Sequence, residues 1–341
     1  MTTRSPISNL KGRTIAVTGA SGYIGDALVK AMAGTELTLI RISRHQDRLA
    51  PLAGATRHHD VCGDVSEPAF WRNLFDSFEI DTMFHLAGQT SAYAAKADPG
   101  KDFAANVAPM IGILEACESR PVTTAVIFAG AATQVGVTTS GPVDESPADC
   151  PDTIYDLHKL VAERHLREAV GRRSVEGGTL RLANVYGPGG QSASDDRGIL
   201  NRMVRLALDG EAITVFGDGA QIRDYVYLDD VLNAFVVAAA RPGELMGRHF
   251  LIGSGTPYSI ADAFHMVARQ VAAATGHEVP VESRPWPDEA LPIEFRNFFA
   301  DVSAFEGATG WRPAVGLQEG IDRTIEAFSG DLQADRRSRR A

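Results

Sequence analysis

Two side chains suited to acid–base chemistry lie four residues apart in the segment Tyr155-Asp156-Leu157-His158-Lys159. On a helix this spacing places Tyr155 and Lys159 on one face. A phenol in that position can exchange a proton with an alcohol or carbonyl oxygen, and a nearby ammonium lowers a phenol pKa from about 10 towards neutral pH. Such a pair supports hydride chemistry when a nicotinamide lies alongside. Without a dinucleotide site, the same spacing describes a solvated helix face.

A glycine pattern upstream supplies the expected dinucleotide site. Gly19-x-x-Gly22-x-x-Gly25 follows the apolar run Thr14–Val17 and precedes the helical pattern Asp26–Met32. Strand, glycine turn and helix are the context that this fingerprint requires. Gly19 and Gly22 would allow a tight turn close to a pyrophosphate, and Gly25 would let the helix pack on the sheet with its N-terminus towards the negative charge.

Composition and charge restrict the class of protein. The 341 residues are 44% hydrophobic and 22% charged, which is typical of a globular protein with one large and one small domain. No apolar stretch approaches the roughly 20 residues that span a bilayer, so a membrane partner is not expected. The net charge of −10 disfavours nucleic acid. The separated Cys62, Cys117 and Cys150 favour neither a disulfide scaffold nor a metal site, and they suit a reducing cytoplasm.

Alternating strand and helix patterns occupy the first half of the chain. Strand-like runs are Thr14–Val17, Leu37–Ile42, Thr82–Leu86, Ala125–Ala129 and Gly178–Leu182, and helical stretches are Gly25–Ala33, Glu67–Phe78, Lys101–Ser119 and Ile154–Ala169. This alternation predicts an α/β fold, a Rossmann-type doubly wound parallel sheet with helices on both faces. We assign residues 1–183 to this dinucleotide-binding domain.

The sequence pattern changes beyond about residue 184, where glycine and proline separate shorter predicted strands and helices. We expect residues 184–330 to form mainly a smaller α+β substrate lobe that returns some segments to the main sheet. Residues 331–341, which contain the basic run 336–340, are expected to be a disordered tail. A cleft between the two parts would be the natural ligand site.

Several ordered motifs together resemble the extended short-chain dehydrogenase/reductase family, in its nucleotide-sugar epimerase/dehydratase branch. The resemblance covers nearly the whole chain. Beyond the two motifs above, it is carried by Asp64-Val65, His85-Leu86-Ala87-Gly88, Arg181-x-x-Asn184-Val185-Tyr186-Gly187-Pro188, Phe216-Gly217-Asp218-Gly219-x-Gln221-x-Arg223-Asp224-Tyr225 and Gly310-Trp311-Arg312-Pro313.

The resemblance implies a cofactor site and a site for a nucleotide-diphosphate sugar. Asp64 would accept a hydrogen bond from the adenine amine, whereas His85 is interpreted as a packed residue at a strand end. The residues implied for the cofactor are Gly19, Ser21, Gly22, Tyr23, Ile24, Gly25, Ser43, Arg44, Asp64, Val65, Leu86, Ala87, Gly88, Tyr155 and Lys159. Those implied for the substrate are Gln89, Asn184, Asn201, Arg223 and Arg284, of which Arg223 offers a fork of donors for phosphate.

One departure from the family pattern concerns the loop after the fourth strand of the family fold. Family members usually carry a serine or threonine at the position of Ala131, where its hydroxyl orients the reacting sugar oxygen. Thr133 lies two residues on and either supplies the missing hydroxyl as a catalytic residue or is an ordinary loop threonine. The carboxylate pair of the 4,6-dehydratases is replaced by Ala132 and Thr133, so elimination has no evident proton shuttle.

A second departure concerns the end of the second strand. Members that prefer NAD carry a carboxylate there for the ribose hydroxyls, whereas this chain has Ser43 flanked by Arg41 and Arg44. A hydroxyl and cations suit a 2′-phosphate, so we favour NADP(H), with NAD(H) as the alternative. Two solvated arginines at a strand end would give the same pattern.

Four functions are consistent with these residues. The resemblance favours a 4-epimerase that transfers hydride at C4 of a nucleotide-diphosphate hexose, while Ser43 and Arg44 favour an NADPH-dependent 4-ketoreductase. A 4,6-dehydratase is less consistent with the sequence. The non-enzymatic alternative is a catalytically silent dinucleotide-binding regulator, for which Ala131 is the supporting feature. The resemblance also implies a homodimer packed through the helix that carries Tyr155.

Overall fold

A computed structural model describes residues 6–52, 56–118, 120–138, 141–189 and 198–338, without the side chains of Gln46 and of residues 331–338. The described residues form twelve strands. These are β1 (Thr14–Thr18), β2 (Thr38–Ser43), β3 (Arg57–Cys62), β4 (Thr82–His85), β5 (Ala125–Ala131), β6 (Glu176–Leu182), β7 (Asn184–Tyr186), β8 (Ile213–Phe216), β9 (Ile222–Tyr227), β10 (His249–Ile252), β11 (Pro257–Ser259) and β12 (Val281–Arg284).

Twelve α-helices connect and cover these strands within the described ranges. They are α1 (Tyr23–Met32), α2 (Pro68–Ser77), α3 (Ala92–Ala97), α4 (Pro99–Asn106), α5 (Ala108–Glu118), α6 (Ile154–Gly171), α7 (Ile199–Leu208), α8 (Leu228–Ala240), α9 (Pro242–Leu245), α10 (Ile260–Thr275), α11 (Ser303–Thr309) and α12 (Leu317–Ser338).

Seven strands form one parallel sheet in the order β10-β6-β5-β4-β1-β2-β3. Strand β1 pairs with β2 on one side and β4 on the other, so the strand order reverses between β1 and β4. In an open parallel sheet, ligands bind outside the carboxyl ends of the strands at this reversal. The predicted doubly wound sheet is confirmed, and it places the cofactor motif at that point.

Apolar strands and amphipathic helices explain the two main layers of the core. Helices α1 and α8 pack on one face of the sheet, with Ile15 and Leu28 among the fully buried side chains. Helices α2, α5 and α6 pack on the other face, with Trp71 and Leu166 in that layer. The central strands are thus covered on both faces, as their continuous apolar sequences require.

The second half of the chain builds smaller sheets around a core of its own. Strands β11, β9 and β7 form one sheet, and β12 pairs with β8. Helices α7, α10 and α12 bury apolar side chains against these strands, including Met203, Val267 and Ile325. Strand β10 instead returns to the main sheet beside β6.

Three segments differ from the sequence-based expectation. Strand β3 was not predicted because its side chains are mostly polar and exposed at the sheet edge. The single helix expected over 101–119 is two helices, since Pro109 cannot donate its backbone to the preceding turn and its ring crowds that turn. Helix α12 extends to Ser338 where a disordered tail was expected, because a packed helix propagates at little cost. Residues 339–341 lie outside the described part of the chain.

Candidate active site

The glycine turn between β1 and α1 depends on close backbone approach. Gly19 has a φ of 68°, in the left-handed region that favours glycine. A β-carbon on Gly25 would collide with the carbonyl oxygen of Gly19, so α1 can begin here only with glycine at this position. A β-carbon on Gly19 would meet the backbone nitrogen of Ala87 at 3.0 Å. The turn and the chain after β4 therefore form one surface without intervening side chains.

Thr18 fixes the chain after β4 against this turn. Its hydroxyl oxygen accepts hydrogen bonds from the backbone nitrogens of Leu86 and Ala87, both at 3.0 Å. The same hydroxyl is hydrogen-bonded to Nδ1 of His85 at 2.9 Å. Burial and the charge of Lys159 lower the pKa of His85 to about 3, so the ring is neutral at physiological pH. His85 is fully buried, which confirms its interpretation as a packed residue.

Helix α6 carries Tyr155 and Lys159 into the space above this surface. The helix starts at the N-cap Thr153, whose hydroxyl accepts a hydrogen bond from the Asp156 backbone nitrogen at 3.2 Å. Tyr155 is 4% exposed and Lys159 is 3% exposed. The Lys159 ammonium donates to the carbonyl oxygen of Ala129 at 3.0 Å, at the end of β5. The cation is thus held at the carboxyl edge of the sheet, one helical turn from the phenol.

Gly88, which has no side chain, leaves room for the Lys159 ammonium. A β-carbon at Gly88 would lie 3.4 Å from Nζ of Lys159 and would collide with the amide oxygen of Asn106. The backbone at Gly88 is therefore exposed to the cleft beside Lys159. From the glycine turn to Gly88 the backbone therefore lies close to the cleft, as the approach of a dinucleotide along the sheet edge requires.

A cleft of about 1120 Å³ brings together nearly all the residues predicted for the site. Such a volume suits a ligand larger than a single sugar. The predicted residues that line it are Gly19, Ser21, Gly22, Tyr23, Ile24, Gly25, Ser43, Arg44, Asp64, Val65, Leu86, Ala87, Gly88, Gln89, Thr133, Tyr155, Lys159, Asn184, Arg223 and Arg284.

Asn201 is the predicted residue that the structure does not bring to the cleft. Its side-chain oxygen accepts from the Gly187 backbone at 2.9 Å, and its side-chain nitrogen donates to the Tyr23 hydroxyl at 3.2 Å. Tyr23 in turn donates to the Gly187 carbonyl at 2.9 Å. Asn201 and Tyr23 therefore join the glycine turn to the loop after β7.

Two of the predicted substrate residues, Gln89 and Asn184, already make hydrogen bonds within the protein. The amide of Gln89 contacts Ser91 on both its atoms and donates to Asp102 at 2.6 Å, so it fixes its own loop. Asn184 donates from its side-chain nitrogen to the Asp224 carbonyl at 3.0 Å, and it lines the cleft.

Arg223 is a buried cation whose hydrogen-bond partners are carbonyl oxygens. Its guanidinium donates to the backbone of Ile222, Glu294 and Arg296. Burial lowers its pKa, and the charge is only partly compensated by Glu294. A cationic side chain held by neutral carbonyls at a cleft wall attracts an anion. Arg284, by contrast, is exposed and pairs with Glu282 at 3.0 Å.

The ribose end of the cleft differs in one respect from the sequence expectation. Arg41 does not face the cleft, since its guanidinium makes two 2.7 Å hydrogen bonds to Asp60 and one to the Ala50 carbonyl. The Ser43 hydroxyl contacts the Ser21 hydroxyl at 2.8 Å. Arg44 is exposed and lines the cleft, so it is the cation next to Ser43 that remains available to a ligand.

The loop that carries Ala131 and Thr133 is fixed from beneath by buried charges. The Gln134 side chain accepts from the Ala131 backbone nitrogen at 2.7 Å and donates to Glu163 at 2.9 Å. Arg181 binds both Glu163 oxygens, at 2.8 and 2.7 Å, and Asp149 at 2.6 Å. Because Glu163 lies on α6, this network fixes the loop relative to the helix that carries Tyr155.

Several cleft residues were missed by sequence reasoning. Asp156 follows Tyr155 directly in the sequence, but it belongs to no recognised motif and was therefore not predicted to line the cleft. The short 3₁₀ helix Pro292–Phe295 gave no signal, yet Ile293 packs with Tyr155 and Ala131. Trp286 also lines the cleft and contacts Phe295 with tilted rings whose centroids are 4.9 Å apart, whereas only Arg284 was predicted as a site residue in this segment.

Two negative findings apply to the described ranges. No group of three or more His, Cys, Asp or Glu side chains there is placed to hold a metal ion. No helix among the same residues is long and apolar enough to cross a bilayer.

Comparison with known proteins identifies the family. Residues 15–253 match the NAD-dependent epimerase/dehydratase family. The chain belongs to that family. It is an enzyme of the extended short-chain dehydrogenase/reductase type, as the motifs predicted.

Relatives of similar length support the assignment. The UDP-glucose 4-epimerase of Mycolicibacterium smegmatis is 28% identical over 321 residues, which cover 93% of this chain and 99% of the relative. The crystal structure of Thermotoga maritima UDP-glucose 4-epimerase with UDP-glucose is 25% identical, with a TM-score of 0.81 over 94% of this chain and 99% of that one. The Thermus thermophilus UDP-glucose 4-epimerase in complex with NAD is 25% identical, with a TM-score of 0.77 over 93% and 99%.

We expect acid to weaken the fold through Glu163. Burial opposes its ionisation, but hydrogen bonds from His249 and Arg181 and the Arg181 charge prevail and lower the pKa of this carboxyl to about 2. Because the folded-state pKa lies below the unfolded value, the stabilisation is present above the unfolded pKa and is lost as the pH falls towards 2. It amounts to about 3 kcal/mol at most. Glu163→Gln should be less stable at neutral pH, and urea unfolding should show a weaker acid dependence.

The control for this experiment is Glu319→Gln. Glu319 pairs with Arg323 on the exposed face of α12, where an ion pair contributes little. Its substitution should leave the acid dependence of the wild type unchanged. If Glu163→Gln kept the full acid dependence, the buried pair would not be its source.

Proposed function

We propose that the protein is an NAD(P)-dependent 4-epimerase of nucleotide-diphosphate hexoses. The observation that supports this most directly is that Tyr155 and Lys159 lie buried in the same cleft as the glycine turn. A dinucleotide-binding regulator would not require a phenol and an ammonium one helical turn apart beside its cofactor site. The named relatives act on UDP-glucose, so UDP-glucose and UDP-galactose are the first substrates to test.

Tyr155 is the proposed acid–base residue. It would take the proton of the C4 hydroxyl during oxidation and return it during reduction on the opposite face of the sugar. Bound nicotinamide supplies the hydride acceptor and donor. Lys159, fixed by the Ala129 carbonyl, would stabilise the phenolate and hold the nicotinamide ribose.

Arg223 and Asn184 are the proposed ligands for the sugar nucleotide's diphosphate. The buried Arg223 guanidinium already lies against the cleft wall with neutral partners, which favours a negatively charged group. Asn184 lies where the main domain joins the second lobe, at the start of β7. We propose that residues 1–183 bind the dinucleotide and that the lobe from residue 184 binds the substrate.

A second candidate is an NADPH-dependent reductase of 4-keto sugar nucleotides. It is supported by Ser43 and Arg44, which occupy the place of a ribose-binding carboxylate. This candidate requires stoichiometric consumption of NADPH, whereas an epimerase regenerates its cofactor.

We also propose that the enzyme works in the cytoplasm, where the free thiols of Cys62 and Cys150, which are exposed, would stay reduced.

Tyr155→Phe tests the proposed chemistry. Removal of the hydroxyl should lower kcat for interconversion of UDP-glucose and UDP-galactose by roughly 10²–10⁴-fold, as expected for loss of a general acid–base group. The melting temperature should change little. Tyr258→Phe is the matched control, because Tyr258 is a half-buried tyrosine of β11 in the second-lobe core. Equal turnover in Tyr155→Phe and wild type, or no turnover in either, would refute the enzyme hypothesis.

Arg44→Leu tests the proposed preference for NADP(H). Loss of the guanidinium should weaken NADPH binding by about fivefold and leave NADH binding within about twofold, since a single surface-exposed charge pair with phosphate contributes on the order of 1 kcal/mol. Fluorescence titration of both dinucleotides measures the two affinities. Arg72→Leu removes an exposed arginine of α2 and should change neither affinity. Equal loss for both dinucleotides would contradict a role at the 2′-phosphate.

We also propose a homodimer that pairs through α4 and α6. Phe103 on α4 is 44% exposed and Leu157 on α6 is 41% exposed, and large apolar side chains at such exposure are suited to an interface. Leu157→Glu should convert the dimer to monomer in sedimentation experiments, whereas Met246→Glu, at an exposed apolar residue after α9, should not. A wild type that sediments as a monomer would exclude this assembly.

A further inference from the structure

Thr133 and Asp156 form a hydrogen-bonded pair on the cleft wall beside Tyr155. The Thr133 hydroxyl donates to Oδ1 of Asp156. Both residues line the cleft, with Thr133 8% exposed and Asp156 1% exposed. The proposed function assigns no role to this carboxylate, although it directly follows Tyr155 in the chain.

The orientation of Asp156 is fixed from its other side. The Thr153 hydroxyl donates to Oδ2 of Asp156 at 2.6 Å and accepts from its backbone nitrogen at 3.2 Å. A carboxylate is an acceptor only, so the single proton of Thr133 is directed to Asp156 and is not available to a ligand. Thr133 therefore presents lone pairs to a ligand, and the charged partner strengthens them as acceptors.

This polarity decides what Thr133 can do in the proposed reaction. The group usually found at the position of Ala131 hydrogen-bonds the reacting oxygen. Thr133 cannot donate to that oxygen while its proton is held by Asp156. It also cannot accept from the C4 hydroxyl during oxidation, because the one proton of that hydroxyl goes to Tyr155. Its partner must be a different sugar hydroxyl.

We propose that Thr133 and Asp156 form an acceptor site for a sugar hydroxyl near C4, either the hydroxyl at C3 or the one at C6. Asp156 is then a positioning residue that acts through Thr133, and Thr133 selects sugars that carry this hydroxyl. The proposal rests on the proposed function, because it places C4 at Tyr155.

The neighbours of Tyr155 make such an acceptor selective. A cluster of apolar side chains packs with it, namely Ala92, Ala95, Ala131, Leu291 and Ile293. A polar acceptor in an apolar wall is left unpaired when a ligand lacks the matching donor, and this penalty is what discriminates against deoxy analogues.

The test combines enzyme variants with substrate analogues. Wild type, Thr133→Val, Thr133→Ser and Asp156→Ala are assayed with UDP-glucose, 3-deoxy-UDP-glucose and 6-deoxy-UDP-glucose. Wild type should prefer UDP-glucose over one analogue by at least about tenfold in kcat/KM, the range of one hydrogen bond to a charged or polarised partner. Thr133→Val should lose this preference, and Thr133→Ser should retain it. Asp156→Ala, which frees the Thr133 proton, should weaken the preference.

Two further measurements separate the alternatives. Thr324→Val removes a buried hydroxyl that donates to Gly320 in α12, and it should leave all three kcat/KM values unchanged. Titration of the three probes into dinucleotide-loaded Tyr155→Phe should show the same preference in dissociation constants, without turnover.

Each outcome bears on a different claim. If Thr133→Val lowered kcat equally for all three probes, Thr133 would act on the reacting oxygen and the acceptor site would be refuted. If the wild-type preference survived in Thr133→Val, or if wild type showed none, the acceptor site would also be refuted while the epimerase stood. If wild type neither bound nor converted any probe, the proposed function would fail together with it.

Discussion

The close approach of two backbone segments at the carboxyl edge of the sheet is the constraint on which the site depends. Gly25 allows α1 to start against the Gly19 carbonyl, and Gly19 in turn lies against the backbone at Ala87. Thr18 completes the contact by accepting from two backbone nitrogens of the neighbouring segment. A larger side chain at either glycine would separate these segments. The surface on which a dinucleotide can lie is therefore a product of packing, before any ligand is present.

The acid–base pair depends on a separate set of interactions, which lie beneath it. Helix α6 supplies Tyr155, Lys159 and Glu163 at successive turns of one side, with the first two lining the cleft and Glu163 buried further along the helix. Glu163 is held by Arg181 of β6 and holds Gln134 of the loop after β5. A buried ion pair is not evidence of high stability, since desolvation opposes it. Its effect here is geometric, because it fixes the helix, the strand and the loop in one arrangement.

Much of the fold and the cleft could be predicted from the sequence because their determinants are local. A glycine turn, the spacing of Tyr155 and Lys159, and apolar strand runs are visible without knowledge of contacts. Arg41 could not be distinguished from Arg44 in this way. Both are arginines close to Ser43, and Asp60 on the unpredicted strand β3 pairs with only one of them. The contacts of Asn201 were not visible in the sequence for a similar reason, since its partners Tyr23 and Gly187 are distant in the chain.

Sequence reasoning missed the contacts that the second lobe makes with the cleft. It also missed the direction in which a side-chain hydroxyl donates its proton. Nothing in the segment 292–295 indicates that Ile293 packs with Tyr155, because that contact spans more than a hundred residues. The position of Thr133 was visible, whereas the direction of its proton was not. A hydroxyl can donate or accept, and only the Asp156 carboxylate decides between the two. In the proposed acceptor site, Thr133 does not simply replace the hydroxyl that is missing at Ala131. The loop would keep a polar group beside Tyr155 but invert its role, from a donor towards the reacting oxygen to an acceptor for a neighbouring hydroxyl.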